Sequence, residues 1–137
     1  MSDPDRHPPL KILYISNHRR FKIHFRAQPW AYQMAMRGHD VDVMCHADHA
    51  RLRTRIEQVD GFRLIENPDL LVGPLRQGWD PVCAWRRRNF LFRENKPYDI
   101  IHCLDTRLAV VLPALVYARA THRVIVSDWI DWWGRGG

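Results

Sequence analysis

The chain has 137 residues, 46% of them apolar and 26% charged, which describes one ordinary folded domain and excludes a disordered or fibrous chain. A formal net charge of +6 suits anionic partners such as phosphates, nucleotides or acidic surfaces, without choosing among them. The three cysteines, Cys45, Cys83 and Cys103, show no CxxC or metal-ligand spacing, so a disulfide scaffold is excluded and a reducing, cytoplasmic compartment fits.

The start, MSDPDRHPP (1–9), carries acidic residues and prolines where a signal peptide needs a basic then an apolar region, and residues 1–10 read as a flexible leader. The run KILYIS (11–16) is nearly all apolar, as in a strand buried on both faces. A basic stretch, NHRRFKIHFR (17–26), follows. Pro29 can open a helix and Gly38 can close it, with Trp30 and Met34 on one face. VDVMC (41–45) reads as a second strand. His46 to Asp60 reads as an exposed helix with a short stripe through Leu52, Ile56 and Val59, and Phe62 to Ile65 as a third strand. Residues 67–79 hold two glycines and two prolines and form a loop. Asp80 and Pro81 make an N-cap and first turn for a helix that runs to about Lys96. DIIHCL (99–104) is a fourth strand. A helix capped by Asp105 or Thr106 then carries Leu108, Val111, Leu112, Leu115 and Val116 at core-facing spacing, and Pro113 should interrupt it, kinking it or setting back its start. Residues 124–127 are a fifth strand, followed by DWIDWWGRGG (128–137). The longest apolar run, LAVVLPALVYA (108–118), is too short to span a bilayer.

Alternating strands and helices predict an α/β fold, a doubly wound, Rossmann-like parallel sheet in the order third, second, first, fourth, fifth (3-2-1-4-5) over residues 11–137. In such sheets the ligand crevice opens beyond the carboxyl ends of the strands, where strand order reverses. That placement gathers Asn17, His18, Arg19 and Arg20 after the first strand, His102, Asp105 and Arg107 at and after the fourth, and Asp128, Trp129 and Asp131 after the fifth.

The first loop has no glycine between Lys11 and Arg37, so the backbone cradle of a dinucleotide or Walker site is missing. Its arginines could instead grip phosphate oxygens through their planar forks, or serve as solvated surface. The eight histidines show no zinc-type spacing, so no metal is expected. His102 reads either as a packed strand-end residue or as a substrate contact. Asp105 reads as an N-cap or a ligand. Asp128 sits beside Trp129, and a partly desolvated carboxylate there suits proton handling or hydroxyl binding. Arg86, Arg87 and Arg88 point in different directions on a helix, and no nucleic-acid motif accompanies them, so nucleic acid is not an expected partner.

Four segments in order, KILYIS (11–16), MRGHDVDVM (36–44), PYDIIHCLD (97–105) and DWIDWWGRGG (128–137), resemble the N-terminal domain of GT-B-fold glycosyltransferases of the retaining family 4 group. The resemblance implies a hexosyltransferase with its active site between two domains. The N-terminal domain would bind the acceptor, and a C-terminal domain with an E-x7-E motif, which this sequence does not contain, would bind the nucleotide-diphosphate sugar. On that basis the chain is one half of the enzyme and inactive alone, with no covalently bound cofactor. Asp128 falls at the fifth-strand position that points at the reacting sugar. A glycan or lipid-linked acceptor is implied, the latter bringing the protein to the inner membrane as a peripheral protein on its cytoplasmic face. The competing expectation is a non-catalytic binding module for a phosphorylated or glycan ligand.

Overall fold

A computed structural model describes residues 7–48, 52–69 and 78–129. Its order is β1 (Lys11–Arg19), a 3-10 helix (Arg20–Phe25), α1 (Ala27–Met36), β2 (Asp40–His46), β3 (Arg55–Val59), β4 (Phe62–Asn67), α2 (Pro81–Glu94), β5 (Ile100–Cys103), α3 (Leu108–Thr121) and β6 (Val124–Ser127). The six strands form one sheet, β3-β4-β2-β1-β5-β6, parallel except at β3.

Strand alternation sorts the core into two layers. Leu13, Ile15, Met44, Ile65 and Ile101 face α2 and α3, where they meet Phe90, Leu91, Val110 and Tyr117. Ile12, Tyr14, Val41, Val43 and Leu64 face the opposite way, toward Ile23, Ala27 and Ala31 of the 3-10 helix and α1. At the amino end of the strands, fully buried Asp42 is held by the Tyr98 hydroxyl, by both ends of the Arg63 guanidinium and by Lys96. That set of donors satisfies a carboxylate that would otherwise be costly to bury.

The expected helix over 46–60 is corrected. His46 closes β2, and Arg55–Val59 is a strand antiparallel to β4. Asp60 (φ 47°) and Gly61 (φ 86°) form the two-residue turn between paired Val59 and Phe62. An Asp-Gly pair accepts positive φ at both positions, as such hairpins need. The i, i+4 spacing of Leu52 and Ile56 imitates a helix, but the turn folds the segment back onto β4 instead. The sheet therefore has an antiparallel sixth strand beyond the five expected.

Boundaries shift elsewhere. β1 continues into the basic stretch as far as Arg19, and Pro29 stands in the first turn of α1, as its third residue. Proline is tolerated there because the first-turn N–H groups have no helical partner. α2 has the expected cap, with Asp80 accepting from the amides of Val82 and Cys83, but it ends at Glu94 on a left-handed Asn95. The N-cap of α3 is Arg107 rather than Asp105 or Thr106, and Asp105 accepts the Arg107 amide in a turn just ahead of it.

Pro113 lies inside α3 with no break in the helix. Lacking an N–H, it leaves the carbonyl four residues back, on Ala109, without a helical donor. Arg87, fully buried on α2, supplies one: its Nη1 donates to Ala109 O at 2.8 Å, and its Nη2 donates to Ser16 O at 3.0 Å. One guanidinium thus joins α2, α3 and the carboxyl end of β1.

Candidate functional site

Tyr14 on β1 is in register with His102 on β5, which is in register with Val126 on β6. Two residues beyond Val126, Asp128 comes off β6 with its amide donating to Cys103 O. Period-two alternation puts Tyr14, His102 and Asp128 on the α1 side of the sheet. Trp30 of α1 packs over them, with ring centroids 5.5 Å from His102 and 6.3 Å from Tyr14, while Tyr14 and His102 are 5.4 Å apart.

Polar groups close this aromatic nest. One oxygen of Asp128 accepts from Arg26 Nη2, and the other lies 3.1 Å from His102 Nε2. The histidine contact is close but poorly aligned for a hydrogen bond, and Nε2 is buried without another partner. Arg26 also lies over the Trp30 ring, 5.3 Å from its centroid. The Asp128 side chain keeps about a quarter of its surface open (26%), so the carboxylate is reachable from solvent. Trp129, next along, is 72% exposed.

A second group adjoins it across the gap between β1 and β5. Asn17 donates to Asp105 at 3.0 Å, and Asp105 turns back to the Arg107 amide. Gly78 presses against both sides of this group: a Cβ there would fall 2.8 Å from Asn17 Oδ1 and 2.9 Å from Arg107 Cδ. His18 is held below its ordinary pKa by burial, helped by the cations Lys22, Arg26 and Arg107 and opposed by Asp105. Its imidazole is therefore neutral near pH 7 and able to accept a hydrogen bond.

Not all of the expected residues meet here. Arg19 turns toward the β2 side, donating to the carbonyls of Ala47 and Asp48 and lying 3.5 Å from Asp69. Arg20 is clamped between Glu57 (2.6 Å) and Glu66 (2.9 Å) on the β3–β4 hairpin. Both are engaged by acceptors away from the His102–Asp128 pair. Asp131 lies outside the described residues.

No family model matches the chain, and no curated protein is significantly similar to it. Thiol chemistry is disfavoured. All three cysteines are buried, burial pushes the Cys45 and Cys103 thiols up to about 12, and it raises Cys83 beside His46. No group of three or more His, Cys, Asp or Glu side chains suited to a metal occurs among the described residues. No helix among them is long and apolar enough to cross a membrane.

Tyr14 and Trp30 were not singled out as site residues from the sequence, and Arg26 entered only as one of the cations of the first loop. Arg26 and Trp30 are four apart, the spacing that stacks two side chains on one helical face. Their joint convergence on a strand-end histidine needs the third dimension.

Proposed function

We propose that this chain is the acceptor-binding half of a two-domain, nucleotide-sugar-dependent glycosyltransferase of GT-B architecture, similar to the retaining family 4 enzymes and working in the cytoplasm. The observation that carries this reading is the His102–Asp128 pair, lined by Tyr14 and Trp30 at the carboxyl end of a parallel sheet. The C–H faces of a sugar pack on aromatic rings, and its hydroxyls pair with imidazole and carboxylate.

In the proposed reaction the acceptor oxygen bonds to the anomeric carbon of the donor sugar, and the bond from that carbon to the nucleoside diphosphate breaks. The acceptor hydroxyl must give up its proton. Asp128 is the group placed to orient that hydroxyl and take the proton, with His102 alongside and Arg26 fixing the carboxylate. The cations around His18 (Lys22, Arg26 and Arg107) give the crevice the sign that suits a departing diphosphate. The donor itself is gripped by the second domain.

One observation favours the plainer alternative, a non-catalytic module for a glycan or phosphorylated ligand: both Asp128 oxygens already face partners. Two assays separate the readings. Tryptophan fluorescence of the 137-residue chain titrated with glycans measures acceptor binding. Release of nucleoside diphosphate by the complete gene product, with a panel of nucleotide sugars and glycan or lipid-linked acceptors, measures transfer. Binding with transfer supports the enzyme, binding without transfer supports the module, and neither would discard both.

A further inference from the structure

We infer that the outward stripe of α1 is the surface through which two copies of this chain associate. This goes beyond the proposed transferase reading and does not depend on what the crevice binds.

A helix lying on a sheet ordinarily turns its large apolar side chains inward and its polar ones outward. α1, AQPWAYQMAM, does largely the reverse. The side chains it buries fully are small: Ala27 and Ala31 are 1% and 0% exposed, with Met34 and Ala35 partly covered beside them. Tyr32 (41% exposed) and Met36 (67%) face outward instead, and Pro29 is exposed with them. Pro29, Tyr32 and Met36 stand at i, i+3 and i+7, which lines them up along one face, opposite the alanines. Phe25, at the end of the 3-10 helix that leads into α1, is 69% exposed. Trp30 is not part of this stripe, because its ring packs toward Tyr14 and His102.

Charge decides the occupant. The chain carries a net +6, so two copies repel wherever their basic faces meet. α2 and α3 both carry arginines, whereas α1 carries no charged residue. A neutral apolar stripe can meet its own copy without stranding a charge, and it offers nothing to an anionic surface. About a two-fold axis through the middle of the stripe, the Pro29 end of one helix meets the Met36 end of the other, so one patch serves both copies. Gln33 is exposed beside Tyr32 at that midpoint, and its amide both donates and accepts, so it can pair with itself. Phe25, Tyr32 and Met36 leave on the order of 300–400 Å² uncovered, at roughly 200 Å² for each whole side chain. That is the apolar centre of an interface at the small end of the specific range, which makes the dimer reversible rather than permanent.

The test is sedimentation velocity of the 137-residue chain from low micromolar to near-millimolar concentration, at low and high salt. The expected result is a shift from one chain to two as concentration rises, strengthened by salt because screening relieves the repulsion between copies. Tyr32→Lys with Met36→Lys sets like charges against each other and should weaken association by about 100-fold. A lysine near a helix carboxyl end favours the helix, and matched circular dichroism melts confirm that the variant folds. Trp85→Lys, at a comparably exposed position (59%) on α2, should leave association unchanged. A chain that stays single at the highest concentration, association weakened by salt, a folded stripe variant that still pairs, or an equal loss in Trp85→Lys overturns the proposal. So does a single chain that binds neutral lipid vesicles through the stripe instead.

Discussion

Arg26 and Asp128, 102 positions apart in the sequence, share an ion pair at 2.5 Å that fastens the entry to α1 to the chain leaving β6. Both side chains are about a quarter exposed, at 27% and 26%. At that exposure an ion pair contributes little to folding, on the order of 0–1 kcal/mol. Its removal should therefore act on the site more than on the fold. On the proposed transferase reading, Asp128→Ala in the complete gene product is expected to cut kcat about 100-fold, with the donor KM nearly unchanged and the melting temperature little affected. Arg26→Gln frees one carboxylate oxygen but keeps the carboxylate, so its effect should be much milder. Equal losses in the two variants would reduce Asp128 to a strap, and unchanged turnover would take it out of the mechanism.

Arg20 is engaged for a different purpose. Its hydrogen bond holds the Glu57 pKa below the ordinary carboxylate value. A depressed carboxylate contributes stability that is present above its unfolded pKa and lost as pH falls through the folded one. Arg20→Ala should melt at a lower temperature near neutral pH. Its gap to the wild type should close as the solution is acidified from about pH 7 to about pH 3. A gap that stays constant over that range would show that the pair adds nothing. Nucleoside diphosphate affinity should be the same in both proteins, because this guanidinium is turned to Glu57 and Glu66 rather than to the crevice.

The sequence carries the layered fold because its signals are local and redundant: the apolar run of β1, and Asp80 and Pro81 opening α2. The α3 stripe expected to face the core is corrected: Leu112 is exposed and Leu108, Val111, Leu115 and Val116 are only half-buried, while Ala109, Val110, Pro113, Ala114, Tyr117 and Ala118 make the buried face. The sequence also misled at 46–60, where Leu52 and Ile56 happen to stand four apart. The Asp60 and Gly61 turn was the stronger signal, since positive φ at two successive positions is rarely compatible with anything but a hairpin. The site was legible only in part. Strand-end positions pointed to His102, Asp105 and Asp128, because topology alone places them. The fates of Arg19 and Arg20 depended on Asp69, Glu57 and Glu66, partners from 37 to 50 residues away that no local pattern announces.

Gly78 sets the width of the gap between Asn17 and Arg107. Its φ of +89° already disfavours a side chain, and a Cβ would come within 3.0 Å of three atoms on those two residues. Gly38 has nearly the same φ, +88°, with nothing within 4 Å, which makes it a matched control. Gly38→Ala should cost about 1–2 kcal/mol from backbone conformation alone. Gly78→Ala adds overpacking, for a total of about 2–5 kcal/mol. Urea midpoints at constant slope measure both. Equal losses would mean that Asn17 and Arg107 move aside freely. A larger loss at Gly78 with weakened ligand binding would place the Asn17–Asp105 group in the working crevice.

Arg87 and Pro113 both bear on the carbonyl of Ala109. The proline removes the helical donor to Ala109 O, and the arginine replaces it at 2.8 Å. A buried hydrogen bond from a charged donor contributes about 1.5–3 kcal/mol. Arg87→Met removes two of them, to Ala109 O and Ser16 O, and should destabilise the domain by several kcal/mol, on the order of 3–5. Pro113→Ala restores the backbone N–H that can close the helical bond to Ala109 O. In that background Arg87→Met should be milder by about 1 kcal/mol or more. A double-mutant cycle from denaturant unfolding reads this coupling directly. Additive losses would mean that the Ala109 carbonyl is satisfied in some other way and that Arg87 acts chiefly through Ser16 O, where it braces the end of β1 beneath the crevice.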